Sequence, residues 1–151
     1  MKIMKKFTTI LIAALIATSA YAGTYSGGSG TSGDPYQIAT TDNLIELSNT
    51  SADWSWDKHF IQTANISFDE DETQVDWNNS GSTGPAEGFS PIGNGTTPAA
   101  CSYDGQNHTI KNLFINRPNT DYVGLFGWKV SNRVINLGLV NADITGQNNV
   151  G

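Results

Sequence analysis

The chain has 151 residues, 16 of them Gly, 4 Trp and 1 Cys, and 15% of it is charged. A hydrophobic content of 38% can build a core, Gly lies far below the one-third that collagen demands, and a single Cys excludes an internal disulfide framework or a multi-thiolate zinc site. A formal net charge of −6 argues against nucleic-acid binding, which needs clustered Lys and Arg to meet phosphates.

In chain order, residues 1–22 carry the three regions of an export signal. Lys2, Lys5 and Lys6 form a basic start, Phe7 to Ala17 an apolar run, and Ala20-Tyr21-Ala22 a small-x-small cleavage pattern. The apolar run is shorter than the ~20 residues that span a bilayer. Cleavage removes three Lys and no acid, so the exported chain goes from −6 to −9.

Residues 23–34 read as a flexible Gly/Ser/Thr lead. Residues 35–88 are expected to hold an N-terminal cap and the first strands. Within them, Thr41 or Asp42 is a candidate N-cap for a short helix whose Leu44, Ile45 and Leu47 share one side. Two turns are marginal in water, so this helix must dock on something larger. Residues 60–68 are rich in β-branched and aromatic side chains and read as strand. Asp69, Glu70, Asp71, Glu72 and Asp76 follow. Clustered carboxylates suit calcium, but the spacing lacks Asp-x-Asp-x-Asp-Gly, and a solvated acidic loop is the plainer reading.

From residue 89 to 151, short apolar pieces recur between Gly, Asn, Asp and Thr. Lys111-Asn112-Leu113-Phe114-Ile115 matches Ile135-Asn136-Leu137-Gly138-Leu139 at an offset of 24 in numbering. Tyr122-Val123-Gly124 matches Asn149-Val150-Gly151 at 27, which makes the second unit slightly longer. Such a period implies stacked units, because one unit cannot bury its apolar face alone. No piece is long enough for a helix. The expected fold is therefore all-β: a parallel β-helix-like solenoid with a short N-terminal helix and cap, in which Asn112 and Asn136 stack as a side-chain ladder. A β-sandwich is the alternative.

Tyr122-Val-Gly-Leu-Phe-Gly127, with Gly124, Leu125, Phe126 and Gly127 as its Gly-Leu-x-Gly core, resembles the repeat of bacterial GLUG-motif surface proteins. Phe89-Ser-Pro-Ile-Gly93, Tyr103 to Leu113, and Asp34-Pro-Tyr-Gln-Ile38 are similar to the segments that precede it in that family. Where the family carries an aromatic residue and a Gly before Tyr103, this chain has Ala99 and Cys101, which implies a core gap or a local shift. Gly151 falls where a second Gly-Leu-x-Gly would begin, so the expectation is the first part of a longer stack. The resemblance implies an exported, non-enzymatic, repetitive surface protein, adhesin-like or a stalk. It also implies an alternative, because the motif occurs as an accessory region in some secreted immunoglobulin-A-cleaving peptidases. No enzymatic activity belongs to the motif.

Candidate chemistry is sparse. His59 and His108 lack the His-Glu-x-x-His spacing of a zinc peptidase, and His108 reads as a turn residue. Trp54, Trp56, Trp77 and Trp128 could stack on sugars or close the end of a core. Cys101 reads as a small buried residue rather than a reactive thiol. Five Asn-x-Ser/Thr sequons are expected by chance in so Asn-rich a chain. No metal or cofactor is expected. A carbohydrate-active β-helix enzyme would need paired acids across a groove, and Asp104, Asp121 and Asp143 are thinly spread. The partner is left as a host or matrix ligand, carbohydrate included, with no nucleic acid. Membrane contact is expected only through the export signal or a C-terminal anchor.

Overall fold

The computed structural model describes residues 23–68 and 87–151. The export signal, the acidic residues 69–76 and Trp77 lie outside the described residues. Among the described residues, nine short strands, one α-helix and one 3-10 turn follow in order: β1 (Tyr36–Ile38), α1 (Thr41–Asn49), the 3-10 turn (Ser51–Trp54), β2 (His59–Gln62), β3 (Ile66–Ser67), β4 (Ser102–Asp104), β5 (Thr109–Lys111), β6 (Phe114–Asn116), β7 (Val134–Ile135), β8 (Gly138–Val140) and β9 (Asp143–Thr145). Strand predominates over helix, and the sheets are parallel.

Three sheets run in the orders β1-β2-β4-β7, β3-β5-β8 and β6-β9. The chain therefore crosses all three in β4-β5-β6, then crosses them again in β7-β8-β9, one layer further on. Period-two alternation gives each strand one inward side chain per pair. Tyr36, Phe60, Tyr103 and Val134 line up in one row, and Ile66, Ile110 and Leu139 in another. Phe60, Tyr103, Ile66 and Ile110 are buried, whereas Val134 and Leu139 of the last layer are exposed.

The stretch 60–68 is two strands rather than one. The chain turns a corner at Thr63-Ala64-Asn65 to pass from one sheet to the next, and Gln62 holds that corner. Its Nε2 donates to the Ala64 carbonyl at 2.8 Å and to the Thr109 carbonyl at 3.1 Å, while its Oε1 accepts from the Tyr103 hydroxyl at 3.1 Å. Gln62 is fully buried, and these bonds satisfy an amide that would otherwise oppose burial.

Residues 23–34 are not the flexible lead their composition suggests. Ser26 N–H donates to the Gln37 carbonyl, Gln37 N–H to Gly27, and His59 N–H to Gly30, so this segment covers the outer edge of β1. Tyr25 packs on Tyr36 and Phe60 with ring centroids 4.6 and 5.3 Å away. Its hydroxyl donates to the buried Asp53 carboxylate at 2.8 Å, and burial pushes the Tyr25 pKa far up. Helix α1 lies over the same end. Its N-cap is Thr40, one position earlier than read from sequence, with Thr40 Oγ1 accepting from Asn43 N–H. Asn43 Oδ1 accepts in turn from the N–H of Ala39, the residue before the cap. Leu44 and Leu47 are fully buried, and Trp54 donates its indole N–H to the Leu47 carbonyl at 2.7 Å.

Replacing Gln62 by Leu removes the partners of the Tyr103 hydroxyl and of the Ala64 and Thr109 carbonyls at once. The expected loss is about 2–4 kcal/mol, since each buried group left unpaired costs roughly 1–3 kcal/mol. Urea unfolding checks it: the midpoint should fall at constant slope, and more than for Tyr103→Phe.

Candidate functional site

Corners connect the strands, and the corners carry the Asn residues. Asn107, Asn112 and Tyr122 in one layer, and Asn136, Asn141 and Asn149 in the next, all have left-handed backbones with φ between 52° and 62°. Asn tolerates this region because its short amide can bond locally. The layers meet corner to corner. Asn107 N–H donates to the Asn136 carbonyl at 2.8 Å, and Asn141 Nδ2 to Asn112 Oδ1 at 2.8 Å. Tyr122 N–H donates to the Asn148 carbonyl, and Asn148 Nδ2 to Asp121 Oδ1 at 2.9 Å.

Asn112 and Asn136 consequently do not form the expected ladder. Asn112 stacks on Asn141 and donates to the Phe68 carbonyl below it at 3.1 Å. Asn136 donates instead to Asp104 Oδ1 at 3.0 Å. The sequence match at an offset of 24 compares two different corners of the same local shape, the β5–β6 corner of one layer and the β7–β8 corner of the next, not two stacked positions. The true register offsets are 31 for Tyr103↔Val134, 29 for Ile110↔Leu139 and 27 for Val123↔Val150. The upper layer is thus shorter than the lower, not longer. Asn141 went unrecognised in the sequence because its partner, Asn112, lies at an offset of 29, not 24, and Asn148 because its partner in the layer below, Asp121, is a different residue type.

The Gly124-Leu125-Phe126-Gly127 turn closes a layer. Leu125 is buried, and Phe126 packs edge-on against Tyr103 at 5.7 Å. A Cβ on Gly127 would strike the carbonyl oxygens of both Gly93 and Tyr122, and one on Gly124 would strike the Gly151 carbonyl. Both positions demand Gly because backbone passes directly against backbone. Gly151 N–H donates to the Val123 carbonyl, seating the next layer on this turn. Ala99 and Cys101 are both fully buried; Ala99 N–H reaches the Trp128 carbonyl at 2.8 Å, and Gly93 packs against Ala99, so the small side chain matches a close approach of backbone.

Outside, Trp56 is 73% exposed, and Trp128 stacks on Tyr122 with rings 5.6 Å apart and 19° from parallel. That stack accompanies the left-handed backbone of Tyr122, unusual for so bulky a residue. Trp54 does the other job foreseen for Trp and closes the capped end. His59 Nδ1 pairs with Ser102 Oγ at 2.7 Å, and His108 Nδ1 with Asn65 Oδ1 at 3.3 Å. Asp104 and Asp121 spend carboxylate oxygens on corner amides; the Gln106 N–H bond, then those from Asn136 and Gln106 side chains, hold Asp104 below the usual carboxylate range. Among the described residues, no three His, Cys, Asp or Glu side chains converge on a common point. No helix among them is long and apolar enough to cross a membrane.

At the far end of the stack an open cup of about 400 Å³ is lined by Leu125, Phe126, Val134, Ile135, Leu137 and Leu139. Lys129 stands at its wall, with Nζ donating to the Val130 and Asn132 carbonyls, and partial burial lowers its pKa.

No family model matches the chain. Halomucin of Haloquadratum walsbyi is 37% identical over 129 residues, an alignment that covers 82% of this chain and 1% of halomucin. A candidate immunoglobulin A1 protease from Bacteroides ovatus superposes with a TM-score of 0.52 at 21% identity, over 81% of this chain and 31% of that one. That likeness is one of fold. The chain spans a small part of the length of either protein.

Asn112→Ala should destabilise by about 2 kcal/mol and Asn112→Gly by about half that, because Gly keeps the left-handed backbone and loses only the amide. Equal losses on chemical unfolding would place the whole effect in the side-chain bonds. Burial pushes the Cys101 thiol up to about 11. The native thiol should therefore resist alkylation at pH 8 and react at once in urea. Because the folded pKa lies above the unfolded one, this stabilisation is full below pH ~9 and is lost between about 9 and 11.

Proposed function

We propose that the chain is an exported, repetitive surface protein of the GLUG-motif type, whose layers form a β-helix-like solenoid serving as a stalk or adhesin-like module. The observation that carries this reading is the second passage through all three sheets in the same order, joined corner to corner by Asn amides. Such a repeat makes a rod that lengthens by adding layers, with strength inside and variable groups outside. The similarity to a short segment of halomucin supports placement in a much longer chain. The fold shared with part of a candidate immunoglobulin A1 protease fits an accessory module as well as a stalk.

Trp56 and the Tyr122–Trp128 stack are the exposed aromatic groups offered to a host or matrix ligand, sugars included. The net negative charge keeps the rod soluble and away from anionic surfaces.

Fractionation and antibody labelling of intact cells expressing the full chain test the reading. The chain should be labelled without permeabilisation and should have lost residues 1–22. Retention inside the cell with an intact N-terminus would contradict it.

A further inference from the structure

We propose that Trp56, with the outward row of side chains beside it, binds the pyranose rings of a polysaccharide; this gives the surface-module reading a ligand class and a site, and rests on that reading. A single exposed aromatic ring is ordinary and by itself points to nothing. Trp56 differs in how it is held. It is 73% exposed in the turn Ser55-Trp56-Asp57-Lys58. Lys58 N–H closes that turn on the Ser55 carbonyl at 3.1 Å, and the Ser55 hydroxyl donates to Asp57 Oδ1 at 2.6 Å. A third bond comes from two strands along the sheet, where Asn132, just before β7, donates Nδ2 to the Trp56 carbonyl at 2.7 Å. A turn fixed on three sides presents its ring with little ordering left to do on binding.

The turn leads directly into the outer face of the first sheet. Phe60 and Tyr103 point inward and are buried, so His59 and Ser102, one position earlier in register, belong to the outward row. Arg133 holds the same row position in the next layer, and its carbonyl accepts from Tyr103 N–H at 2.9 Å. Ser102 N–H donates to the Lys58 carbonyl at 3.0 Å, and Ser102 Oγ pairs with His59 Nδ1 at 2.7 Å, which joins the row to the turn. Trp56 lies in the first layer with two further strands beyond it, so its exposure is a property of the wall.

The surroundings of the ring select a sugar. A Trp that anchors a protein interface sits among contacts that exclude water. Trp56 instead has Ser55, Asp57 and Asn132 about it, and Asp57 and Asn132 are exposed. A pyranose is the complement of such a site: a flat C–H face for the indole, and a rim of hydroxyls for carboxylate, amide and hydroxyl groups. The Ser55 bond holds the Asp57 carboxyl below its usual range, so it stays a hydrogen-bond acceptor in mild acid. Trp128 suits the task less well because it spends one ring face on Tyr122.

Isothermal titration calorimetry of the secreted form of the chain against cellohexaose, mannohexaose and an oligogalacturonate tests this. At least one of the three should bind, with Kd of about 1 mM. Trp56→Ala should weaken that binding by about tenfold or more, with unchanged circular dichroism because the ring is exposed. Trp56→Tyr, which keeps a stacking face, should stay within about threefold, and Trp128→Ala within about twofold. Arg133→Ala should weaken binding by less than Trp56→Ala does. Absence of binding to all three sugars at about 5 mM, binding that survives Trp56→Ala, or an equal loss in Trp128→Ala would each overturn the proposal. Labelling of intact cells is independent of these results, so failure to bind sugar would leave the exported-surface reading standing.

Discussion

Parallel register between successive layers is the constraint on which everything else in this molecule rests. Tyr103 is buried because Phe60 lies on one side of it and Val134 on the other, and Ile110 because it sits between Ile66 and Leu139. Slippage by one position would turn each inward row outward. Such short strands cannot hold register by their own few hydrogen bonds. The corners do it for them. Left-handed Asn residues fix where each strand stops, and their amides reach the neighbouring layer at Phe68, Asn112 and Asp104. Glycines at 124 and 127 let the closing turn lie flat against the backbone of its neighbours.

The ends of the stack follow from the same constraint. A layer has a finished face only where something is laid over it. At the head, Tyr25, α1 and Trp54 supply that cover, and Asp53 anchors it by accepting from the Tyr25 hydroxyl and the Gly23 N–H. In the last described layer Val134, Leu139 and Val150 lie partly in solvent, with no further strand laid over them among the described residues.

Much of this was legible in the sequence, and the failures have physical causes. Strand character, parallel stacking and the docking of a short helix through Leu44 and Leu47 could be read from periodicity and turn residues. The match at an offset of 27, between Val123 and Val150, marks a real bridge. The match at 24 does not, because Asn112 and Asn136 occupy different corners of similar shape, and local sequence reports local backbone better than it reports which layer lies beneath. Residues 23–34 looked flexible from composition, yet their hydrogen bonds to β1 and β2 are long-range and leave no periodic trace. Gln62 was hidden for a related reason: a buried amide in a strand has a meaning only once the Tyr103 hydroxyl and the Thr109 carbonyl are known to face it. Of the candidate site, the Gly-Leu-x-Gly turn was visible as a motif, whereas the stacking of Trp128 on Tyr122 depends on the left-handed corner at Tyr122.

Register is also what can be tested most directly. Lys111 and Val140 are exposed partners on adjacent parallel strands. Neighbouring strands lie about 4.8 Å apart, inside the Cα separation of roughly 4.4–6.8 Å that a disulfide accepts. In a Cys101→Ala background, Cys introduced at 111 and 140 should crosslink rapidly under mild oxidation and leave the fold intact. The pair at 111 and 135, which match in sequence but lie on different sheets, should remain free. Rapid crosslinking of the second pair and none of the first would contradict the layered register.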